Sequence, residues 1–375
     1  MDLISHAELS QVLVDFLDQF GYQDTERLSS HDLRAIYDFT LPFLPGEEKI
    51  VLALSEYVHS TFSFLPLDIR KAVAVYDSYQ MSIDDAPEEE YDSLHDLCVR
   101  LSERRQIQHP VWTGLFSFFP MLLRFYGPYA QTTIFRGAVE FIQATYVERT
   151  LFKGFPGSKY PGYIRRMSAQ GPVQAAICFP EGEFPQDRYL PMIVSLEAEL
   201  EYYVGTVNDF FSFYKESNTL FDRTNFPLNE AYCSGQSCSD ILCDLVEISL
   251  NCRARVRRML ASFDDDKLSD RVEQFFTGYV RYHLACSRYR MESLCAESQN
   301  ARLREFYHMS LQAVGRSVDS GIGMSGDFTG GASNEGSTPS PCSEKGPDGH
   351  PVEKERVGIA SRIRGLWRRL HCLKL

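Results

Sequence analysis

The sequence predicts an all-α fold, a bundle of many helices that extends from the N-terminus to about Ser310. Prolines recur at intervals that are mostly as long as a helix. Because proline lacks a backbone donor and clashes inside a helix, each is expected to mark a helix end or a loop. The alternating pattern of β-branched residues that indicates strands is almost absent. A hydrophobic content of 44% in 375 residues is ample for a core.

Composition excludes some classes of protein. A net charge of −13 argues against a general nucleic-acid-binding protein, because phosphate backbones select basic surfaces. The ten cysteines form no CxxC pair or zinc-like Cys/His cluster, and the first residues lack the pattern of a secretory leader. We therefore expect reduced thiols and a cytoplasmic protein. No uninterrupted apolar run approaches the length of a membrane span.

Apolar residues at steps of three and four predict individual helices within the bundle. The helices that matter most for function are predicted at residues 7–20, 67–85, 194–217 and 275–295. The acidic stretch 263–270 lies between two helical patterns and supplies capping residues, so it is interpreted as an interhelical loop rather than a metal motif.

The helix predicted at 194–217 carries Asn208, Ser212 and Glu216 at a spacing of four. Each step drifts by about 40°, so the three oxygen-bearing side chains share one helix face. An amide oxygen, a hydroxyl and a carboxylate are hard ligands suited to Mg²⁺. Aromatic residues such as Phe211 flank them, which is unusual for a solvated face. An amphipathic helix with its polar face in water is the simpler alternative.

A cluster of acidic residues ends the helix predicted at 67–85. Asp84 and Asp85 occupy the helix end, and Glu88 follows one turn later. Adjacent carboxylates there repel each other and oppose the helix dipole, so the placement is unfavourable unless a cation compensates. A solvated acidic turn is the alternative, since the acidic run continues to Asp96.

Two basic segments are candidates for binding phosphate oxygens. Arg165 and Arg166 follow one another near a predicted helix break, and guanidinium groups suit the geometry of phosphate. Arg288 and Tyr289 add a positive charge and a hydroxyl donor further along the chain. Considered singly, each of these residues also fits an ordinary bundle surface.

In combination, these motifs resemble those of the class I terpene cyclases. An Asp-Asp-x-x-Glu cluster precedes Asn-Asp-x-x-Ser-x-x-x-Glu in a helical chain, and the Phe-Tyr-Lys within the second motif resembles the trichodiene synthase family of fungal sesquiterpene synthases. The Arg-Arg-Met at Arg165 and the Arg-Tyr-Arg at Arg288 fall in the order of that family. The resemblance covers residues 1–310 and implies a helical bundle around a central active-site cavity.

The resemblance also implies roles for individual residues. Three Mg²⁺ ions, with Mn²⁺ as a substitute, would be held by Asp84, Asp85, Glu88, Asn208, Ser212 and Glu216. The diphosphate of the substrate would be bound by Arg165, with Arg166 as the alternative in register, and by Lys215, Arg288 and Tyr289. Tyr76 and Phe211 are candidates for stabilising a carbocation with their aromatic faces.

The expected function is a Mg²⁺-dependent cyclisation of farnesyl diphosphate with release of diphosphate. The sequence departs from the family where Glu88 replaces an aspartate and where Cys286-Ser287 replaces Asp-Arg. A prenyltransferase that elongates chains and a non-catalytic helical binding protein derived from a cyclase are the alternatives.

Beyond residue 310 the composition changes. Residues 311–352 are rich in Gly, Ser and Pro and are predicted to form a flexible linker. Residues 353–375 predict a basic amphipathic helix that includes Trp367, which favours weak binding to a membrane surface. Docking of this helix onto the acidic protein is the alternative. We also expect that the chain can form a homodimer.

Overall fold

A computed structural model describes residues 4–84, 97–107, 109–217 and 225–316. Within these residues all regular secondary structure is helical. The α-helices are α1 (His6–Phe20), α2 (Ser30–Thr40), α3 (Glu48–Thr61), α4 (Leu67–Asp84), α5 (Leu97–Ser102), α6 (Pro110–Leu123), α7 (Pro128–Glu148), α8 (Tyr160–Ser168), α9 (Gly171–Ile177), α10 (Gln186–Ser217), α11 (Phe226–Ser234), α12 (Cys238–Phe263), α13 (Asp266–Ala285), α14 (Met291–Ser298) and α15 (Ala301–Ala313). Short 3₁₀ helices occupy Leu41–Phe43 and Ser287–Tyr289.

A connection between two helices is present in the predicted loop at 263–270, but its predicted extent is wrong, because only Asp264 and Asp265 lie between α12 and α13. Helix α12 ends at Phe263, and Asp264 adopts a left-handed conformation with φ of 51°. The side chain of Asp265 accepts a hydrogen bond from the backbone N–H of Leu268 and so caps α13. Asp264 therefore forms the turn and Asp265 caps the next helix.

The predicted start of the helix at 194–217 is wrong. Helix α10 already begins at Gln186, and Pro191 lies inside it. Pro191 is only the sixth residue of α10, so its missing N–H removes one hydrogen bond from the edge of the helix. Pro120 is likewise inside α6.

The single helix predicted at 275–295 is also wrong. Helix α13 ends at Ala285, where Cys286 adopts an extended conformation with φ of −75° and ψ of 129°. The 3₁₀ turn that follows carries Arg288 and Tyr289. Arg290 then takes a left-handed conformation with φ of 55° before α14 begins. This break turns Arg288 and Tyr289 out of the line of α13.

The longest helix, α10, lies in the centre of the described bundle. It packs against α9 and α12, while α13 packs against α3, and α3 packs against α4. Aromatic contacts such as Phe16 against Phe210, with ring centroids 4.7 Å apart, join α1 to α10. A buried ion pair between Arg281 and Asp24, at 2.6 Å, fixes the segment after α1 to α13.

All of these helices belong to one compact unit, Met1–Gly321. Helix α15 continues to Ala313, three residues beyond the predicted domain end, and Arg316 forms an ion pair with the buried Glu56 of α3. The remainder of the predicted linker and the whole of the predicted helix at 353–375 lie outside the described residues, so both stay predictions. In the part of the chain that the structure describes, no helix is long and apolar enough to cross a membrane.

Candidate active site

A cavity of about 510 Å³ opens among α3, α4, α7, α8, α9, α10 and α13. Segments that are far apart along the chain supply its walls. The residues predicted from the sequence that line it are Asp84, Arg165, Asn208, Lys215, Glu216, Arg288 and Tyr289. The structure therefore brings most of the described candidate residues to one place.

Asn208 connects several walls of the cavity. Its Oδ1 accepts a hydrogen bond from Nη2 of Arg165 at 2.7 Å. Its Nδ2 donates to the hydroxyl of Tyr289 at 3.1 Å and to Nε2 of His283 at 3.2 Å. His283 in turn donates from Nδ1 to the backbone oxygen of Tyr279 at 2.7 Å. Burial lowers the pKa of His283 to about 3, so the ring is neutral and its Nε2 is an acceptor.

The three residues predicted at a spacing of four on α10 differ in their access to the cavity. Asn208 and Glu216 line it, and Oε1 of Glu216 lies 3.5 Å from Nζ of Lys215. Ser212 is 1% exposed and is not among the lining residues. Its hydroxyl donates instead to the backbone oxygen of Asp209 at 3.4 Å, back along its own helix.

Asp84 ends α4 at the cavity. Its backbone oxygen accepts a hydrogen bond from the guanidinium of Arg149 on the segment after α7. The predicted partners Asp85 and Glu88 lie outside the described residues. Among the residues that the structure does describe, no three His, Cys, Asp or Glu side chains form a cluster able to hold a metal ion.

The structure distinguishes the two neighbouring arginines. Arg165 lies in the cavity, where Nη2 is 2.8 Å from Oδ1 of Asp209, and Nε is buried with no hydrogen-bond partner among the described residues. Burial acts to lower the pKa of Arg165, but Asp209, Glu148 and Glu216 together outweigh it and raise the pKa, so the guanidinium stays charged. Arg166 is not a lining residue and pairs with Glu201 at 2.6 Å.

Sequence reasoning missed four charged residues of the cavity, Asp77 of α4 and three further residues. Glu148 lines the wall, and burial, reinforced by the charge of Asp84, raises its pKa to about 7 against the opposing effect of Arg165. Asp209 has its pKa raised to about 7 by burial, which Arg165 opposes. Arg149 is the third. Glu148 and Arg149 stand in no recognisable motif; Asp209 lies within the Asn-Asp motif, and that signal could have found it.

The oxygen donors that line the cavity are of the chemical kind that magnesium binds, although the described ones are not gathered into a metal-binding cluster. Asp84, Glu148 and Glu216 bring three carboxylates to one cavity beside the amide of Asn208. Oxygen ligands of this kind suit a hard divalent cation. Burial is the main cause of the raised pKa of Glu148, and the charges of Asp84 and Glu216 add to it, a repulsion that a cation would relieve.

The aromatic residues predicted to contact substrate are Tyr76 and Phe211, but other aromatic residues form the wall. Tyr282 lines the cavity together with Tyr57 and Tyr279. Tyr76 and Phe211 are not lining residues. The hydroxyl of Tyr76 donates to Oε1 of Gln170 at 2.9 Å. The ring of Phe211 packs against Phe16 of α1, Phe210 and His283, because this side of α10 faces the core.

Known proteins of similar sequence and of similar fold agree with this architecture. The family model of trichodiene synthase (TRI5) matches residues 48–320. The trichodiene synthase of Paramyrothecium roridum is 28% identical over 242 residues, 63% of each chain, and that of Fusarium pseudograminearum is 29% identical over 225 residues, 59% of each chain. This chain therefore spans less than two thirds of the length of the relatives that it matches. The solved structure of a single-substitution variant of cucumene synthase covers 71% of this chain and 97% of its own with a TM-score of 0.50 and 15% identity.

The described residues form an all-helical scaffold with the fold of the cucumene synthase variant, which confirms the predicted all-α fold class. The chain belongs to the trichodiene synthase family.

Proposed function

We propose that this protein is a Mg²⁺-dependent sesquiterpene cyclase, which ionises farnesyl diphosphate, cyclises the carbocation and releases diphosphate. The observation that carries the proposal is the convergence of Asp84, Arg165, Asn208 and Glu216 on one cavity, from separate parts of the chain. Membership of the trichodiene synthase family supports the same substrate and reaction.

The proposed metal ligands are Asp84, Asp85 and Glu88 on one side and Asn208, Ser212 and Glu216 on the other. Three Mg²⁺ ions, or Mn²⁺ in their place, would supply Lewis-acid stabilisation of the departing diphosphate. Asn208 Oδ1 now accepts a hydrogen bond from Arg165, and its second lone pair would be the one to bind the ion. Ser212 needs a different side-chain rotamer, since its hydroxyl points to the backbone.

The diphosphate is bound, in this proposal, by Arg165, Lys215, Arg288 and Tyr289. Arg165 is charged and half-buried in the cavity wall, and Nη2 of Arg288 lies 3.3 Å from the sulfur of Met81 on the α4 wall. Guanidinium groups bind phosphate oxygens in a fixed fork geometry. Placed before the C–O bond breaks, these charges stabilise the charge that develops on the leaving group.

The carbocation is shielded by the apolar and aromatic part of the wall. Tyr57, Tyr279 and Tyr282 line the cavity, and Tyr57 and Tyr282 contact each other edge to face with centroids 4.8 Å apart. Aromatic faces attract a cation by about 1 to 2 kcal/mol each in a desolvated site. Exclusion of water prevents early capture of the cation.

The direct test is incubation with C10, C15 and C20 prenyl diphosphates and Mg²⁺, followed by diphosphate measurement and gas chromatography of extracted terpenes. We expect cyclic C15 products, and no release when EDTA is present. A longer prenyl diphosphate formed with isopentenyl diphosphate would indicate a chain-elongating enzyme. No release from any substrate would indicate a binding protein and contradict the proposal.

Two variants test the residues. Asp84→Ala and Asn208→Ala are expected to lower turnover by about 10²-fold or more, because each removes an oxygen donor to the charge-stabilising site. Circular dichroism is expected to show unchanged helix content. Wild-type turnover in both variants would contradict the metal assignment.

We further propose a cytoplasmic protein whose C-terminal region contacts membranes weakly, and which forms a homodimer. The described cysteines are free, which suits a reducing compartment. Cosedimentation of the full chain, and of a chain ending at Arg316, with anionic vesicles tests the membrane contact, and equal binding by both would contradict it. Sedimentation equilibrium tests the dimer, and a single monomeric mass would exclude it.

A further inference from the structure

One face of α4 joins the mouth of the cavity to its interior. Asp77, Gln80, Met81 and Asp84 all line the cavity, at the spacing of one helix face. Asp77 precedes Asp84 by two turns, or about 10.5 Å along the helix axis. Asp77 is buried and therefore lies deeper along α4 than the half-buried Asp84, at the level where we place the hydrocarbon of a bound substrate.

Asp77 is 5% exposed, and its one hydrogen bond within the described part of the chain comes from a neutral amide. Its Oδ1 accepts this hydrogen bond from Nε2 of Gln174 at 3.2 Å. The Oε1 of Gln174 accepts in turn from the hydroxyl of Tyr57 at 2.8 Å, which fixes the orientation of the amide. The Oδ2 of Asp77 is buried and has no hydrogen-bond partner among the described residues. A buried polar atom without a partner costs about 1 to 3 kcal/mol, so a purely structural role does not explain it.

Gln80, one helical turn from Asp77, also has buried polar atoms that lack a hydrogen-bond partner in the described part of the chain. Its side chain is buried in the wall, and neither Nε2 nor Oε1 has a hydrogen-bond partner among the described residues. A cavity that only holds and shields a hydrocarbon would be stabilised by apolar side chains at both positions. The wall of this cavity instead contains a carboxyl and an amide.

We propose that Asp77 is a catalytic base, whose Oδ2 removes the proton that ends the carbocation sequence. This inference rests on the proposed cyclase function. A C–H bond next to the cationic carbon breaks, its electron pair forms the C=C bond of the product, and the proton binds Oδ2 to give a neutral carboxylic acid. The acid returns its proton to solvent after product leaves. Gln174 and Tyr57 act as positioning residues for the carboxylate.

The protonation behaviour of the carboxyl suits this role. Burial raises the pKa of Asp77 to about 7, and the hydrogen bond from Gln174 opposes the shift. Both protonation states are therefore accessible near neutral pH, as a residue that takes up and returns a proton requires. The released diphosphate is the competing base, and the length of α4 between Asp77 and Asp84 separates the two.

The test replaces Asp77 with asparagine, which keeps the shape and the acceptor for Gln174 but removes the base. With farnesyl diphosphate and Mg²⁺, we expect diphosphate release within about threefold of wild type, because ionisation takes place at the mouth. The main wild-type terpene is expected to fall at least about tenfold as a fraction of products, replaced by terpenes from other cations.

Glu197→Gln is the matched control. Glu197 is also a buried carboxyl with a pKa raised to about 7 by burial, and it is not a lining residue of the cavity. The control variant is expected to keep the wild-type products. Asp77→Ala is a second variant, and the proposal requires the product change in each Asp77 variant that melts cooperatively.

The outcomes separate the two proposals. Wild-type products from a folded Asp77→Asn or Asp77→Ala protein would overturn the role of Asp77 and leave the cyclase function intact. The same product change in Glu197→Gln would also overturn it. Failure of the wild-type protein to release diphosphate from any prenyl substrate would overturn both.

Discussion

Arg165 contacts two protein side chains, and we propose that it binds the diphosphate when substrate is present. In the structure its guanidinium contacts Oδ1 of Asn208 at 2.7 Å and Oδ1 of Asp209 at 2.8 Å. Arg166, the next residue, contacts Glu201 away from the cavity. The two arginines therefore carry the same guanidinium group, but only Arg165 lines the cavity.

This difference gives a paired prediction. Arg165→Ala is expected to lower kcat/KM for farnesyl diphosphate by about 10²- to 10³-fold, because a charge aimed at the leaving group is lost. Arg166→Ala is expected to change it less than about threefold. Steady-state kinetics with a diphosphate assay measures both, and equal effects of the two variants would contradict the assignment of Arg165.

Glu197 gives a prediction for stability against pH. It is buried, and its Oε2 accepts a hydrogen bond from Tyr129 at 2.7 Å. Burial raises its pKa from 4.5 to about 7, so between these values the folded state binds more protons than the unfolded state. The contribution of Glu197 to stability therefore falls as pH rises through this window, by a few kcal/mol at most.

We expect Glu197→Gln to unfold at a higher temperature than wild type at about pH 8, with a much smaller difference at about pH 4.5, the lower edge of the window in which the carboxyl titrates. Thermal melts at the two pH values measure this. The same difference at both pH values would show that the Glu197 carboxyl does not titrate differently in the folded state.

Several of these residues could not be assigned a role from the sequence. The ligand positions on α10 follow from a spacing of four within a recognisable motif. Asp77 and Glu148 are single acidic residues inside helical runs, and such residues usually face water. The seven-residue interval from Asp77 to Asp84 places both on one helix face, but only the packing of α4 within the bundle identifies that face as the cavity wall.

At the scale of helices, the contact between α13 and α3 depends on Gly278. A Cβ atom at this position would lie 2.5 Å from the backbone oxygen of Ser60 and 2.8 Å from that of Thr61. The absence of a side chain therefore lets the two helices approach. Helix α13 also carries Tyr279 and Tyr282 into the cavity.

We expect Gly278→Ala to destabilise the fold by about 1 to 3 kcal/mol, because backbone must move to admit the methyl group. Gly162→Ala in α8 is the control, since nothing lies within 4 Å of its added Cβ and alanine favours a helix by up to about 1 kcal/mol. Chemical denaturation measures both variants. Equal stability of the two would contradict the close approach at Gly278.

The errors in predicting these helices have local causes. The break after α13 depends on the left-handed conformation of Arg290, a residue type that gives no signal for it in sequence. Pro191 predicts a helix start, yet proline is tolerated near the beginning of α10. Hydrophobic spacing predicts that helices exist more reliably than where they end.

At the scale of the whole molecule, the last described residues, at the end of α15 and just after it, bind to earlier helices of the bundle. The backbone oxygen of Ala313 accepts a hydrogen bond from the N–H of Leu28 at 2.8 Å. The guanidinium of Arg316 pairs with Glu56 and donates to the backbone oxygen of Ala285 at 3.3 Å. These contacts tie the end of α15 to α3, to α13 and to the segment before α2.

A chain ending at residue 316 is therefore expected to unfold at the temperature of the full chain. A chain ending at residue 310 is expected to lose about 3 kcal/mol, because Glu56 would be left buried without its partner. Thermal melts of the three proteins measure this, with diphosphate release as a second readout. Equal melting temperatures for the two shortened chains would contradict the role of Arg316.

The neutral state of His283 has a consequence for the choice of amino acid at position 208. His283 donates from Nδ1 to a carbonyl, so its other nitrogen can only accept, and the amide of Asn208 has to present its NH₂ group there. The polarity of this chain of hydrogen bonds fixes the carbonyl side of Asn208 toward the cavity. Aspartate has nearly the same shape but no proton to give, so it would place two lone pairs against each other. Asparagine at this position is therefore selected by its neighbours as much as by any ion.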